Sequence, residues 1–136
     1  MTQDLVKVFV YGTLKPGEFY YSQYCEGHVV ETFTAIAYGT LFDLPMGYPA
    51  MTLGDRPVHG VVLCFENAAC LSALDELEDY VPGRSPEENE YNRRQVNIFS
   101  QDGIPLGSAW TYIMDTAKAL ALGGAMVSNG TWTAAY

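Results

Sequence analysis

Val6-Lys7-Val8-Phe9-Val10-Tyr11-Gly12-Thr13-Leu14-Lys15-Pro16-Gly17 is the stretch on which the reading of this chain turns. Its first half is β-branched and aromatic, interrupted only by Lys7. That pattern is a largely buried strand. Its second half places two glycines and a proline within six residues, so the strand stops in a shaped loop. A glycine directly after a buried strand lets a ligand or another part of the chain approach the backbone closely. Successive free N–H groups in such a turn form a concavity that suits a carboxylate or a phosphate. Two readings of Gly12-Thr13 stay open: a plain strand-ending turn, and an anion cradle. A nucleotide P-loop is excluded, because no GxxxxGK[ST] pattern is present.

Working outward, residues 29–41 alternate loosely and suggest one long strand or two. Residues 43–50 contain Pro45, Gly47 and Pro49 and read as irregular. Residues 57–65 are a strong strand. Asn67 is a good N-cap for a helix running to Asp79, with Leu71, Leu74 and Leu77 on one face and Pro82-Gly83 as its stop. Residues 84–90 read as a mobile polar loop, residues 91–100 and 106–114 as two strands joined by a turn at 101–105. Residues 18–25 suit a short helix carrying Tyr20, Tyr21 and Tyr24. The Ala/Gly-rich tail, 115–136, suits a short helix and loop or partial disorder. Five or six strands with one clear helix, and no regular alternation of the two, imply an α+β domain: a mixed sheet or small barrel with helices packed on it. No repeat or linker divides residues 1–136, so a single domain is expected, with its core over about 6–114.

Composition narrows the function classes. Hydrophobic residues make up 49% of the chain and charged residues 17%, which excludes a disordered chain. A net charge of −9 argues against nucleic-acid or anionic-membrane partners, which need clustered positive charge. Cys25, Cys64 and Cys70 are odd in number and form no CxxC pair, so neither a disulfide framework nor a zinc site is expected. The start of the chain lacks an apolar signal region, and no apolar run approaches membrane-spanning length. A reduced, cytoplasmic protein is the expectation.

Three features carry chemistry. The first is the Tyr11-Gly12-Thr13-Leu14 turn. The second is Asp75-Glu76-Leu77-Glu78-Asp79. With the leucines facing the core, Glu78 and Asp75 sit beside the apolar face while Glu76 and Asp79 point outward. The run is either a solvated face or the lip of a cavity. In the second case Glu78 acquires a raised pKa suited to a general base. The third is Tyr91-Asn92-Arg93-Arg94, where an inward Tyr91 hydroxyl is placed to orient a ligand and the arginines pack their stems and solvate their heads. The acidity is local too. Seven of the 16 acidic residues fall between Asp75 and Glu90, with Arg84 as the only basic residue among them. Ten tyrosines suit either ordinary β-rich packing or a semi-polar cavity.

In order, Val8-Phe-Val-Tyr-Gly-Thr-Leu-Lys-Pro-Gly17, Tyr48-Pro-Ala50, Val58-His-Gly-Val-Val62, Leu74-Asp-Glu-Leu-Glu-Asp-Tyr80, Tyr91-Asn-Arg-Arg94 and Ala109-Trp-Thr-Tyr-Ile113 resemble the gamma-glutamylcyclotransferase-like family, which includes AIG2-like proteins and gamma-glutamylamine cyclotransferases. The resemblance implies a small mixed β-barrel flanked by short helices, with a cavity to one side. It implies Glu78 as the catalytic general acid/base, and Tyr11, Gly12, Thr13, Leu14 and Tyr91 as the substrate-binding set. It further implies a small γ-glutamyl substrate closed to 5-oxoproline with release of an amine or amino acid, and neither metal nor cofactor. The departures are the long spacer between Asp79 and Tyr91 and the tail after Met114. They motivate the alternative of a non-catalytic small-molecule-binding or regulatory domain on the same scaffold. A plain protein–protein module is the weaker third reading.

Overall fold

The computed structural model describes residues 5–15, 18, 25 and 27–132. The short helix expected at 18–25 lies almost wholly outside them. Six strands and two α-helices follow in the order β1 (Val6–Val10), β2 (Val29–Asp43), β3 (Pro49–Phe65), α1 (Ala69–Leu77), β4 (Asn92–Phe99), β5 (Pro105–Ile113), α2 (Thr116–Ala121) and β6 (Ala125–Met126). A single 3-10 turn, Pro86–Glu88, sits between α1 and β4.

β1 runs antiparallel to β3, β3 to β2, β2 to β4 and β4 to β5. β5 then returns to β1 in parallel through Val8 and Trp110. Five strands therefore close a mixed ring, and β6 adds to the far end of β2. The α+β class and its rough barrel match the expectation from the sequence.

β1 shows why its run is so apolar. Val8 and Val10 pack with Leu63, Phe65, Leu71 and Leu74 in the core beneath α1. Phe9 and Tyr11, pointing the other way, pack with Val62, Met51, Val58 and Ile98 inside the ring. Side chains alternate across a strand, so a strand buried on both faces carries no polar alternation.

Two sequence readings are corrected, and of the two open for the tail the short helix and loop is the one observed over the described residues. The strand expected at 57–65 is the second half of a longer β3. Its first half holds Pro49 and Ala50, and the ladder skips residues 53–55 opposite the Gly39/Thr40 step, so the proline-rich stretch looked irregular while its end was already paired. The 84–90 segment is no free polar loop. Asn89 is buried; its Oδ1 accepts from Val81 N at 3.1 Å and Arg84 Nε at 2.6 Å, and its carbonyl accepts from Lys118 Nζ at 2.6 Å. The tail is built into the domain through α2, β6 and Trp132, whose indole N–H donates to Asp43 Oδ1 at 2.8 Å. No helix among the described residues is long and apolar enough to cross a membrane.

Candidate active site

α1 positions Glu78. The N-cap is Ala68 rather than the expected Asn67; Asn67 Oδ1, one residue earlier, accepts from the Ala69 N–H at 2.9 Å in a turn that leads into the helix. Leu71 and Leu74 are buried and fix the helix's rotation, leaving Glu76 and Asp79 exposed. The helix stops earlier than Pro82-Gly83 requires. Tyr80 N–H donates to Asp75 O at 2.9 Å and Asp79 N–H to Glu76 O at 3.3 Å, while Asp79 takes the left-handed conformation at φ 54°. That pair of bonds is a Schellman motif with Asp standing where glycine is usual, a substitution Asp tolerates better than most residues. Glu78 is thus the C-cap residue, at the point where the chain turns off the helix.

The exit is held from three sides. Asp75, buried one turn before Glu78, accepts from Tyr112 OH on β5 at 2.7 Å and from Arg93 on β4 at 2.9 Å. Glu90 N–H and Arg84 both donate to Asp79 O. The Arg93 head does not solvate as the sequence reading had it. It lies 4.9 Å from the Trp110 ring centre and 5.4 Å from that of Tyr80, with its charge on Asp75.

Glu78 lines a cavity of about 200 Å³ that opens to solvent between the β1 loop, the β2–β3 turn, α1 and β4–β5. The β1 loop contributes Tyr11, Gly12, Thr13 and Leu14, and β4's entry contributes Glu90 and Tyr91, so all six residues singled out from the sequence meet at one cavity. Among the described residues the N–H groups of Gly12, Thr13 and Leu14 have no acceptor; Lys15 N–H closes the turn onto Gly12 O at 3.0 Å. Gly12 has no positive φ; it is small because Pro49 crosses it, and a Cβ there would lie 2.5 Å from Pro49 Cγ. Lys15 donates to Trp132 O at 2.5 Å, which ties the loop's far end to the tail.

Sequence reasoning missed Glu90 and Tyr112. Glu90 ends a polar stretch that looked like surface, and no local signal marks it. Tyr112 sits in the Ala-Trp-Thr-Tyr-Ile run, where period-two spacing puts it on the same face as Trp110, but only the fold turns that face to the cavity.

The tyrosine and Thr111 hydroxyl protons at this cavity are already committed. Tyr11 OH donates to Tyr112 O at 2.6 Å, Tyr91 OH to Pro49 O at 2.5 Å, Tyr48 OH to Glu90 Oε1 at 2.6 Å and Thr111 Oγ1 to Phe9 O at 2.9 Å. The Tyr91 hydroxyl therefore has only acceptor capacity left. Burial pushes the hydroxyls of Tyr11, Tyr91 and Tyr112 far above the ordinary phenol range, so they stay protonated. Glu78 is half-buried, with its carboxyl on the inner side. Burial first, and the nearby Glu90 charge second, push its pKa up to about 8. Its carboxyl has no hydrogen bond or ion pair among the described residues.

Solved structures of the same fold include an AIG2-like protein from Mus musculus, at TM-score 0.64 and 18% identity over 95% of this chain and 88% of that one. Another is protein ytfP from Escherichia coli, at TM-score 0.60 and 26% identity over 93% and 96% of the two chains. In sequence the chain is 32% identical, over 92% of its length and 93% of the relative's, to a Vibrio cholerae protein named "Putative gamma-glutamylcyclotransferase". It is 34% identical over 107 residues to the gamma-L-glutamyl-butirosin B gamma-glutamyl cyclotransferase of Niallia circulans, a match spanning 78% of this chain and 65% of that protein. The family model described as gamma-glutamyl cyclotransferase, AIG2-like, matches residues 8–134. The chain belongs to that family, a family of enzymes.

Proposed function

We propose that the protein is a γ-glutamyl cyclotransferase with Glu78 as its general acid/base. The observation that carries this reading is the meeting, at one solvent-connected cavity, of an unpartnered carboxyl raised to about 8 and three consecutive unpartnered backbone amides.

The reaction needs little else. The substrate's α-amine attacks its own γ-carbonyl, so the nucleophile is tethered and the cavity folds it into place. The amine arrives as an ammonium. The substrate's own free carboxylate holds that ammonium above the chain-terminal α-amino value of about 8, and a Glu78 raised to about 8 narrows the gap the proton must cross. The C–N bond that closes the five-membered ring forms as the γ-carbonyl oxygen takes up negative charge. The amides of Gly12, Thr13 and Leu14 are the donors for that oxyanion. When the tetrahedral intermediate collapses, the γ-carbon–nitrogen bond of the amide breaks and Glu78 returns the proton to the departing nitrogen. The ring nitrogen gives up its second proton to the departing amine, so the products are 5-oxoproline as its carboxylate and the amine as an ammonium, with no net gain or loss of protons. The tyrosine oxygens of Tyr11 and Tyr91, fixed as acceptors, face the substrate's N–H groups.

The test is turnover of a panel of γ-glutamyl amides, peptides and amino acids, read as 5-oxoproline. Glu78→Gln keeps the shape and removes the base, and kcat is expected to fall about 10²- to 10⁴-fold. Full activity in that variant, or no product from any substrate with the unaltered protein, overturns the reading.

A further inference from the structure

We infer that the cavity selects γ-glutamyl amides whose leaving amine carries a second positive charge, with Glu90 as its counter-charge; this rests on the cyclotransferase reading above.

The inference starts from charge counting. The cavity wall holds two carboxylates, Glu78 and Glu90, and no Lys, Arg or His. All seven Lys and Arg residues of the chain lie among the described residues. None of them forms an ion pair with either carboxylate; the two that pair, Arg84 and Arg93, do so with Asp79 and Asp75. A γ-glutamyl group brings one negative and one positive charge. In the reactive protonation state its α-ammonium neutralises the ionised Glu78, while its carboxylate and its γ-carbonyl oxygen share the three amide donors of the β1 loop. One carboxylate is then left over inside a partly desolvated site, where an unbalanced charge is costly. A cation on the leaving amine removes that imbalance.

The hydrogen-bonding chemistry points the same way. Of the hydroxyl side chains lining the cavity, Tyr11, Tyr48, Tyr91, Tyr112 and Thr111 donate to protein acceptors, and Thr13 alone is uncommitted. Outside the β1 loop the wall therefore offers lone pairs and negative charge and almost no donors. Such a surface solvates ammonium groups and rejects carboxylates. Glu90 is also built in. Tyr48 holds one of its oxygens at 2.6 Å, and its N–H is tied to Asp79 O at 3.2 Å, next to the Glu78 C-cap. A carboxylate fixed in place on an inner wall is a binding group, whereas a solvated one would roam. The surroundings extend the field. Glu76, Asp79, Glu87 and Glu88 are exposed nearby, with Arg84 as the one basic residue of that segment. Clustered charge of one sign at a cleft mouth raises the local concentration of oppositely charged substrates.

The experiment compares three γ-glutamyl amides of equal length, made from 1,3-diaminopropane, butylamine and β-alanine, which present a cation, a neutral end and an anion. kcat/KM is read from 5-oxoproline. The cationic amide is expected to exceed the neutral one by about tenfold, and the neutral one to exceed the anionic. The cation-to-neutral ratio should shrink as salt rises from about 0.05 to 0.5 M, since partly exposed charge is screened. In Glu90→Gln, checked for cooperative unfolding, that ratio should fall close to one. Equal kcat/KM for the cationic and neutral amides in the unaltered protein overturns the inference, and this arm needs no variant. An unchanged ratio in Glu90→Gln, with only the pH profile displaced, also overturns it, because Glu90 would then act on Glu78 alone. Turnover of other γ-glutamyl compounds of the panel above but of none of these three overturns the inference alone; no 5-oxoproline from any compound overturns the cyclotransferase reading itself.

Discussion

The two walls of the cavity are made by opposite means. Beside the Tyr11 and Thr13 side chains, the β1 loop offers backbone: three N–H groups, presented because Gly12 leaves room for Pro49 to cross. The facing wall offers only side chains, with Glu78 on a helix cap, Glu90 on a loop end and the tyrosine oxygens between them. A wall built from backbone depends on shape, and any residue that restores the shape restores the chemistry. A wall built from side chains depends on identity and on the pKa each group acquires. The pairing teaches that donors and acceptors are segregated here, so each wall is open to separate disturbance.

The sharpest way to break the backbone wall is Gly12→Ala. The added carbon collides with Pro49, so the loop or the proline must move. kcat/KM is expected to fall about 10²-fold while Glu78 keeps its raised pKa. Full activity would show that the amides are not the oxyanion donors.

The other wall is sharpened by pH. Below about 8 the free enzyme's Glu78 is protonated, so kcat/KM should rise with pH up to that value, about tenfold per unit at the acid end. The same shift acts on stability. A carboxyl whose pKa is higher folded than unfolded favours the folded state below about 4.5, and that contribution is lost as pH rises toward 8. Glu78→Gln should therefore melt higher than the unaltered protein at pH about 8.5, on the order of 5 °C, with the gap closing near pH 4.5. An equal gap at both pH values would remove the titration argument.

A smaller disturbance reaches the side-chain wall from behind. Asp75→Asn leaves Arg93 without its counter-charge between Trp110 and Tyr80, and takes the ionised acceptor from Tyr112. A loss of about 3 kcal/mol in urea unfolding is expected, with a fall in kcat as the helix cap loosens. Unchanged stability would mean that the helix end is fixed by the Schellman turn alone.

How much of this the sequence held differs between the walls. The β1 loop was legible because its cause is local: a buried strand, then glycine. Glu78 was legible from the leucine spacing, which sets the helix's rotation without reference to anything else. Glu90 was not, because its position depends on Asn89, Lys118 and Asp79 gathering a segment that reads as surface when taken alone. The proline-rich start of β3 was hidden for a related reason: its pairing partner, the far half of β2, is reached only across a bulge. Arg93 was misread because local sequence prices its head in water, whereas two aromatic rings and a buried Asp from three other elements receive it.

The bond from Lys15 to the carbonyl of Trp132 joins residues 117 positions apart. A ribosome makes the β1 loop 117 residues before the residue that ties down its far end. All five ring strands precede Trp132, so they can pair while that tie is still unmade. A chain stopped short of Trp132 would keep the turn bond from Lys15 to Gly12 and the crossing of Pro49, and lose the tie that fixes the donor wall to the tail.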